Sequence, residues 1–99
     1  MKTKPGILNA DYKVAGGKLL RVKLTLEEVD DSQNITSITI TGDFFMHPED
    51  AIDALEDALT GILFQKNAVQ TAVEAFFDSN VEVIGAEPSD FTHVILSVT

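Results

Sequence analysis

Few side chains in this 99-residue sequence are of types that do chemistry unaided. There is no cysteine, which excludes a disulfide framework, a thiol nucleophile and any Cys-ligated zinc or iron–sulfur site. The histidines are His47 and His93. With only two of them and no thiolate, a metal site is not expected. Ser89 and Ser97 stand in no recognisable nucleophile pattern with a histidine. Asp53, Glu56 and Asp57 look like a ligand cluster on paper, but at helical spacing they read as a solvated face. Gly16-Gly17-Lys18 offers backbone N–H groups and an ammonium to a phosphate. It lacks the longer P-loop pattern and its Ser/Thr, and a bare hairpin turn already explains the two glycines.

The elements that must position these residues change period midway. Ala10, Tyr12 and Val14 alternate with polar residues, as do Leu20, Val22, Leu24 and Leu26, and then Ile38 and Ile40. Each is the period of a half-buried strand. Gly16-Gly17 separates the first two, and the stretch from Asp30 to Asn34 reads as the second turn. Short connections favour an antiparallel meander of three strands, the third ended by Gly42-Asp43. Pro48-Glu49-Asp50 reads as a helix start, with Pro48 at the first helical position. Ile52, Leu55, Leu59 and Ile62 form the apolar face of that helix, and Gly61 is its stop. A second helix is capped at Asn67, with Gln70 as partner, and carries Val69, Ala72, Val73, Phe76 and Phe77. Val81, Val83 and Ile84 form a short extended or buried piece. Phe91, Val94, Ile95 and Val98 have helical spacing after Pro88, while the β-branched content leaves a strand open. Strands followed by helices indicate an α+β fold, a three-stranded antiparallel sheet with about three helices on one face.

Charge is unevenly spread. The net charge of −9 argues against nucleic acid as a partner. Six of the seven basic residues, including Lys18 and Arg21, precede residue 24 and are opposed there only by Asp11. The first 23 residues therefore carry +5 and the rest −14. A domain with this polarity can orient against a charged partner. No apolar run approaches the roughly 20 residues that span a bilayer. Met1 to Gly6 is basic but precedes no apolar core or cleavage site, so the chain reads as cytoplasmic. One segment stands out: Phe44-Phe45-Met46 puts three large apolar residues at a connection. They either plug the end of the core or present an apolar surface to a partner.

Tyr12-Lys13-Val14-Ala15-Gly16-Gly17-Lys18-Leu19, Ile38-Thr39-Ile40-Thr41-Gly42-Asp43-Phe44-Phe45 and the Pro-Glu-Asp start resemble the accessory (C-terminal) domain of lipoate–protein ligases. That family typically shows a Lys-x-Pro-Gly-Gly-Lys turn, then Gly-Asp-Phe-Phe, then a helix opened by Pro-Glu-Glu or Pro-Glu-Asp. Here Ala15 replaces the usual proline, while both glycines and Lys18 remain. Gly85-Ala86-Glu87-Pro88-Ser89-Asp90 is similar to the family's closing helix start, which tips the last segment towards helix. The resemblance runs from about Asp11 to the end. It divides the chain into a tail with the start of the first strand (1–10) and the accessory domain (11–99). It also implies a fold similar to iron–sulfur scaffold and sulfur-acceptor proteins, without their cysteines.

The resemblance implies that the chain is a non-catalytic accessory subunit in a heterodimer. Such ligases use ATP to convert lipoate to lipoyl-adenylate, then transfer the lipoyl group to a lysine of an acceptor domain. ATP, Mg and lipoate are expected on a larger catalytic partner and none on this chain alone. The implied interface or phosphate-proximal residues are Gly16, Gly17, Lys18, Arg21, Gly42, Asp43, Phe44, Phe45 and His47. The other reading is a stand-alone interaction module with no ligase role. An independent small enzyme has no residue set to support it.

Overall fold

Strict alternation in the second strand organises the whole fold. In the computed structural model, which describes residues 6–14, 16 and 18–99, Leu20, Val22, Leu24 and Leu26 are all buried on one side of β2 (Leu19–Val29). Antiparallel neighbours flank it: β1 (Gly6–Lys13) and β3 (Ser32–Gly42), in the order β1-β2-β3. Leu8, Ala10 and Tyr12 of β1 and Ile35, Ile38 and Ile40 of β3 share the inner face. Ile35 and Ile38 are three residues apart, one too many for strict alternation. The register slips at Thr25/Leu26, where Thr25 pairs with Ser37 and Leu26 with Ile35. Thr36 is the extra residue of this bulge, which lets both isoleucines face inward. The β2–β3 turn is tighter than expected. Only Asp30 and Asp31 form it, with φ of 51° and 66°, and Ser32 to Asn34 already belong to β3. Two central residues with positive φ match the twist of a two-residue hairpin.

Three helices close over the inner face. They are α1 (Ala51–Leu59), α2 (Lys66–Phe77) and α3 (Pro88–Leu96). Helix α1 packs on β3, α3 packs on β1 and β2, and α2 packs on the other two helices. The expected α+β architecture holds, and residues 88–96 are helical. Two helix starts differ from expectation. Helix α1 begins at Ala51 with Asp50 at its N-cap position, so Pro48 lies in a preceding turn and its carbonyl accepts the Ala51 N–H at 3.0 Å. Helix α2 begins at Lys66 after Gln65, and Gln70 bonds Glu74 at 3.1 Å instead of reaching back to a cap.

Two short strands were not anticipated as a pair. These are β4 (Phe45–His47) and β5 (Glu82–Ile84), which form a separate antiparallel ribbon.

The outer edge of β3 is satisfied by local partners. Residues 61–64 run beside it, with Gly61 N–H on the Ile35 carbonyl at 2.6 Å and Phe64 N–H on the Gln33 carbonyl at 2.8 Å. Further along, the Ile40 N–H donates to Glu56 Oε2 at 2.7 Å. Glu56 therefore leaves the solvated face assigned to it and caps a strand edge, which discourages pairing with other chains. Truncating it strands a part-buried donor. Glu56→Ala should lower the unfolding free energy by about 1–3 kcal/mol, and Glu56→Gln by less because an acceptor remains. Urea midpoints check the order.

Candidate partner interface

Three backbone segments meet at one end of the sheet. The β1–β2 hairpin closes with the Val14 N–H on the Lys18 carbonyl at 2.7 Å, and Gly16 sits at φ +98°. Gly17 lies outside the described residues. Next to Lys18, the Leu19 carbonyl accepts the Asp43 N–H at 2.9 Å. A Cβ on Gly42 would collide with that same carbonyl oxygen. On the other side, a Cβ on Gly85 would stand 3.0 Å from the Asp43 carbonyl oxygen and 3.4 Å from Phe44 Cα. Two glycines thus permit contacts that any side chain would obstruct. They join the hairpin, the end of β3 and the end of β5.

The Phe44-Phe45-Met46 run divides by direction. Phe44 turns inward and meets Phe91 edge-on, with centroids 5.3 Å apart. Met46 is buried. Phe45 points out and is 77% exposed. The run therefore splits, Phe44 and Met46 plugging the core and Phe45 standing exposed, because successive side chains of an extended segment point oppositely. Opposite Phe45 in the β4–β5 register lies Ile84, 68% exposed, and opposite His47 lies Glu82.

Gly16 and the exposed Lys18 line an open groove of about 490 Å³ with Tyr12 and Val14. Gly85, Ala86, Glu87 and Asp90 complete it. The Asp90 carboxylate accepts the Glu87 N–H at 2.8 Å and closes the first turn of α3. Two carboxylates beside one ammonium make the groove a poor seat for a polyphosphate.

Arg21 is not part of this cluster. It lies on the outer sheet face, where its Nε donates to Asp11 at 2.9 Å between side chains more than half exposed. Such a pair is worth about 0–1 kcal/mol. Lys13 and Lys23 share that face, so part of the basic charge of the first 23 residues lies on the outer surface of the sheet.

The remaining candidates have structural partners. His93 packs against Tyr12 with ring centroids 4.4 Å apart and the rings tilted by 50°, and its carbonyl accepts the Ser97 hydroxyl at 2.7 Å. Ser89 lines a separate hollow between α2 and α3, of about 650 Å³, that contains no histidine. Among the described residues no three histidine or acidic side chains converge as metal ligands would. Sequence reasoning missed Ile84 and Glu82 as surface partners of Phe45 and His47. The available signal was Ile84 itself, an apolar residue that breaks the alternation set by Val81 and Val83.

An α+β domain whose β1–β2 hairpin and Gly-Asp-Phe-Phe connection converge at one end of the sheet is the accessory class that the sequence motifs imply. Residues 8–95 match the family model of the bacterial lipoate protein ligase C-terminus, and the chain belongs to that family. It is 40% identical over 77 residues to lipoate-protein ligase A subunit 2 of Thermoplasma acidophilum, covering 78% of this chain and 76% of that protein. It also superposes with a TM-score of 0.80 on a chain from a structural study of an archaeal lipoylation system. That system is a bipartite lipoate protein ligase and its E2 lipoyl domain, also from Thermoplasma acidophilum. The match has 34% identity and covers 93% of this chain and 97% of that one.

Proposed function

We propose that this chain is the accessory subunit of a two-chain lipoate–protein ligase. It docks on a catalytic chain and supports the ATP-dependent activation of lipoate to lipoyl-adenylate that precedes transfer to an acceptor-domain lysine. The observation that carries this reading is the structural match, which takes in nearly the whole of a chain from a bipartite ligase study. The 40% identical relative, itself called subunit 2, points the same way. On this reading ATP, magnesium and lipoate bind to the catalytic chain. The accessory subunit contributes by closing over that site, which excludes water and orders the loops around the nucleotide.

Lys18 is the residue of the hairpin best placed to act across such an interface. It is exposed, it borders the open groove, and the hairpin that carries it is tied to the Gly42-Asp43 junction through Leu19. Its ammonium meets either phosphate charge on the partner or acidic partner groups from the open side of the groove.

The reading is tested by mixing this chain with the ligase catalytic chain of the same organism, ATP and lipoate, and following pyrophosphate release. Stimulation is expected, and its absence sinks the reading. In the same assay Lys18→Glu should cut adenylation about tenfold or more, equivalent to about 1.4 kcal/mol of transition-state stabilisation. Transfer from preformed lipoyl-adenylate should change by less than about twofold. Equal loss of both steps, or of neither, refutes the role given to Lys18.

A further inference from the structure

The β4–β5 ribbon presents an apolar pair that the fold itself does not use. Phe45 and Ile84 occupy directly opposed positions and are 77% and 68% exposed. Among the described residues the other large exposed apolar side chains, Ile7, Val29 and Leu63, lie at separate places on β1, at the end of β2 and in the connection after α1. Scattered apolar residues are ordinary on a protein surface, whereas a cross-strand aromatic–aliphatic pair is a contiguous patch. The patch is also held firmly. On the ribbon's inner side Met46 pairs with Val83, and Met46 is buried. Phe44, the residue before Phe45, packs edge-on against Phe91, and Gly85 brings the end of β5 against Asp43 and Phe44. A rigid apolar patch loses little side-chain freedom on binding.

The charges around it specify what it fits. Phe45 and Ile84 border a shallow hollow of about 260 Å³ that also includes Met46, His47, Glu49 and Glu82. The exposed Asp43 stands two residues before Phe45. The rim thus carries carboxylates and no lysine or arginine among the described residues. An apolar centre with an acidic rim is complementary to an apolar socket bordered by cations.

We infer that the Phe45–Ile84 face of the ribbon is the surface by which this subunit docks, and that its occupant is an apolar socket edged with lysine or arginine on the ligase catalytic chain. The inference rests on the accessory-subunit reading. It gives Phe45 an anchoring role, assigns Ile84 as its partner, and makes Glu49 and Glu82 rim residues that set orientation.

The test is titration calorimetry of the full chain against the catalytic chain, with pyrophosphate release measured in parallel. Phe45→Ser combined with Ile84→Thr should weaken binding about 100-fold, as loss of a central anchor pair does. The unfolding midpoint should stay that of the parent, because both side chains face solvent. Glu82→Lys should weaken binding about tenfold, and binding of the parent should weaken severalfold between low and moderate salt. Parental affinity in both variants, with stimulation intact, overturns the docking surface and leaves the accessory reading standing. No binding or stimulation by the parent chain overturns both. A parent dimer in sedimentation that the double variant abolishes, with heterodimer affinity unchanged, makes a second copy the occupant and overturns the inference.

Discussion

Phe91→Ala should remove about 3–5 kcal/mol of folding free energy, the range for an aromatic truncated inside a packed core. That is a large part of the about 5–15 kcal/mol that holds a typical domain together. In a chain of this length it corresponds to a fall of roughly 15–30 °C in the thermal midpoint. Phe91 is completely buried and touches more than one element. Its ring meets Phe44 at 5.3 Å and Phe77 at 5.5 Å, and Phe77 in turn meets Phe76 at 5.0 Å. One residue of α3 therefore ties the connection before β4 to the end of α2. Removing it opens a cavity that neither the ribbon nor α2 can fill without moving. Phe45→Ala is the matched control. The same residue type one position after Phe44, 77% exposed, should change stability by no more than about 0.5 kcal/mol. Calorimetric unfolding of the two variants separates them. A small effect at Phe91 would mean that the aromatic cluster does not hold the ribbon in place.

The contrast between neighbouring phenylalanines shows what the sequence could and could not convey. Period-two runs on β1 and β2 declared their inward faces, and those residues are the ones the helices cover. Helical spacing likewise identified Leu55 and Leu59, Val69, Val73 and Phe76, and Phe91, Val94 and Ile95. These signals are local: one turn of helix or one pleat of strand creates each of them. The β4–β5 ribbon has no such signal. Each strand is three residues long, too short for a period, and the partners lie far apart in sequence. Its existence depends on where α1 and α2 bring the chain back. Glu56 was misassigned for a related reason. Its place on α1 was right, but its partner is the open edge of β3, which no single helix reveals.

The same limit applies to the glycines. The turn at Gly16 was legible from composition. The need for glycine at 42 was not, because the obstacle is the Leu19 carbonyl, which lies more than twenty residues earlier. Ending a strand required only a turn-former. Threading β3 past the start of β2 required the absence of a Cβ.

That requirement leads to the second large effect. Gly42→Ala places a methyl group against the Leu19 carbonyl oxygen, with Leu20 Cα 3.1 Å away. Both obstacles are backbone in a paired strand, so relief means moving β3 away from β2 at this end. Overpacking of this kind costs about 1–3 kcal/mol. The larger consequence is functional. The Asp43 N–H to Leu19 carbonyl bond cannot keep its 2.9 Å geometry while the strands part. Asp43 and Phe44 follow it, and with them the Gly85 contact and the setting of Phe45 and Ile84. Gly61→Ala is the comparison that isolates this effect. Gly61 has φ +91° and open space where a Cβ would go, so its cost is backbone strain of about 1–2 kcal/mol, far from the junction. The two variants should lose comparable stability. Only Gly42→Ala should shift the amide resonances of residues 43–47 and 82–85 and weaken binding to the ligase catalytic chain by about tenfold or more, about 1.4 kcal/mol. Equal binding by the two variants would show that the junction is a matter of folding alone. Selective loss in Gly42→Ala would identify the close approach of β2 and β3 as the feature that positions the docking face.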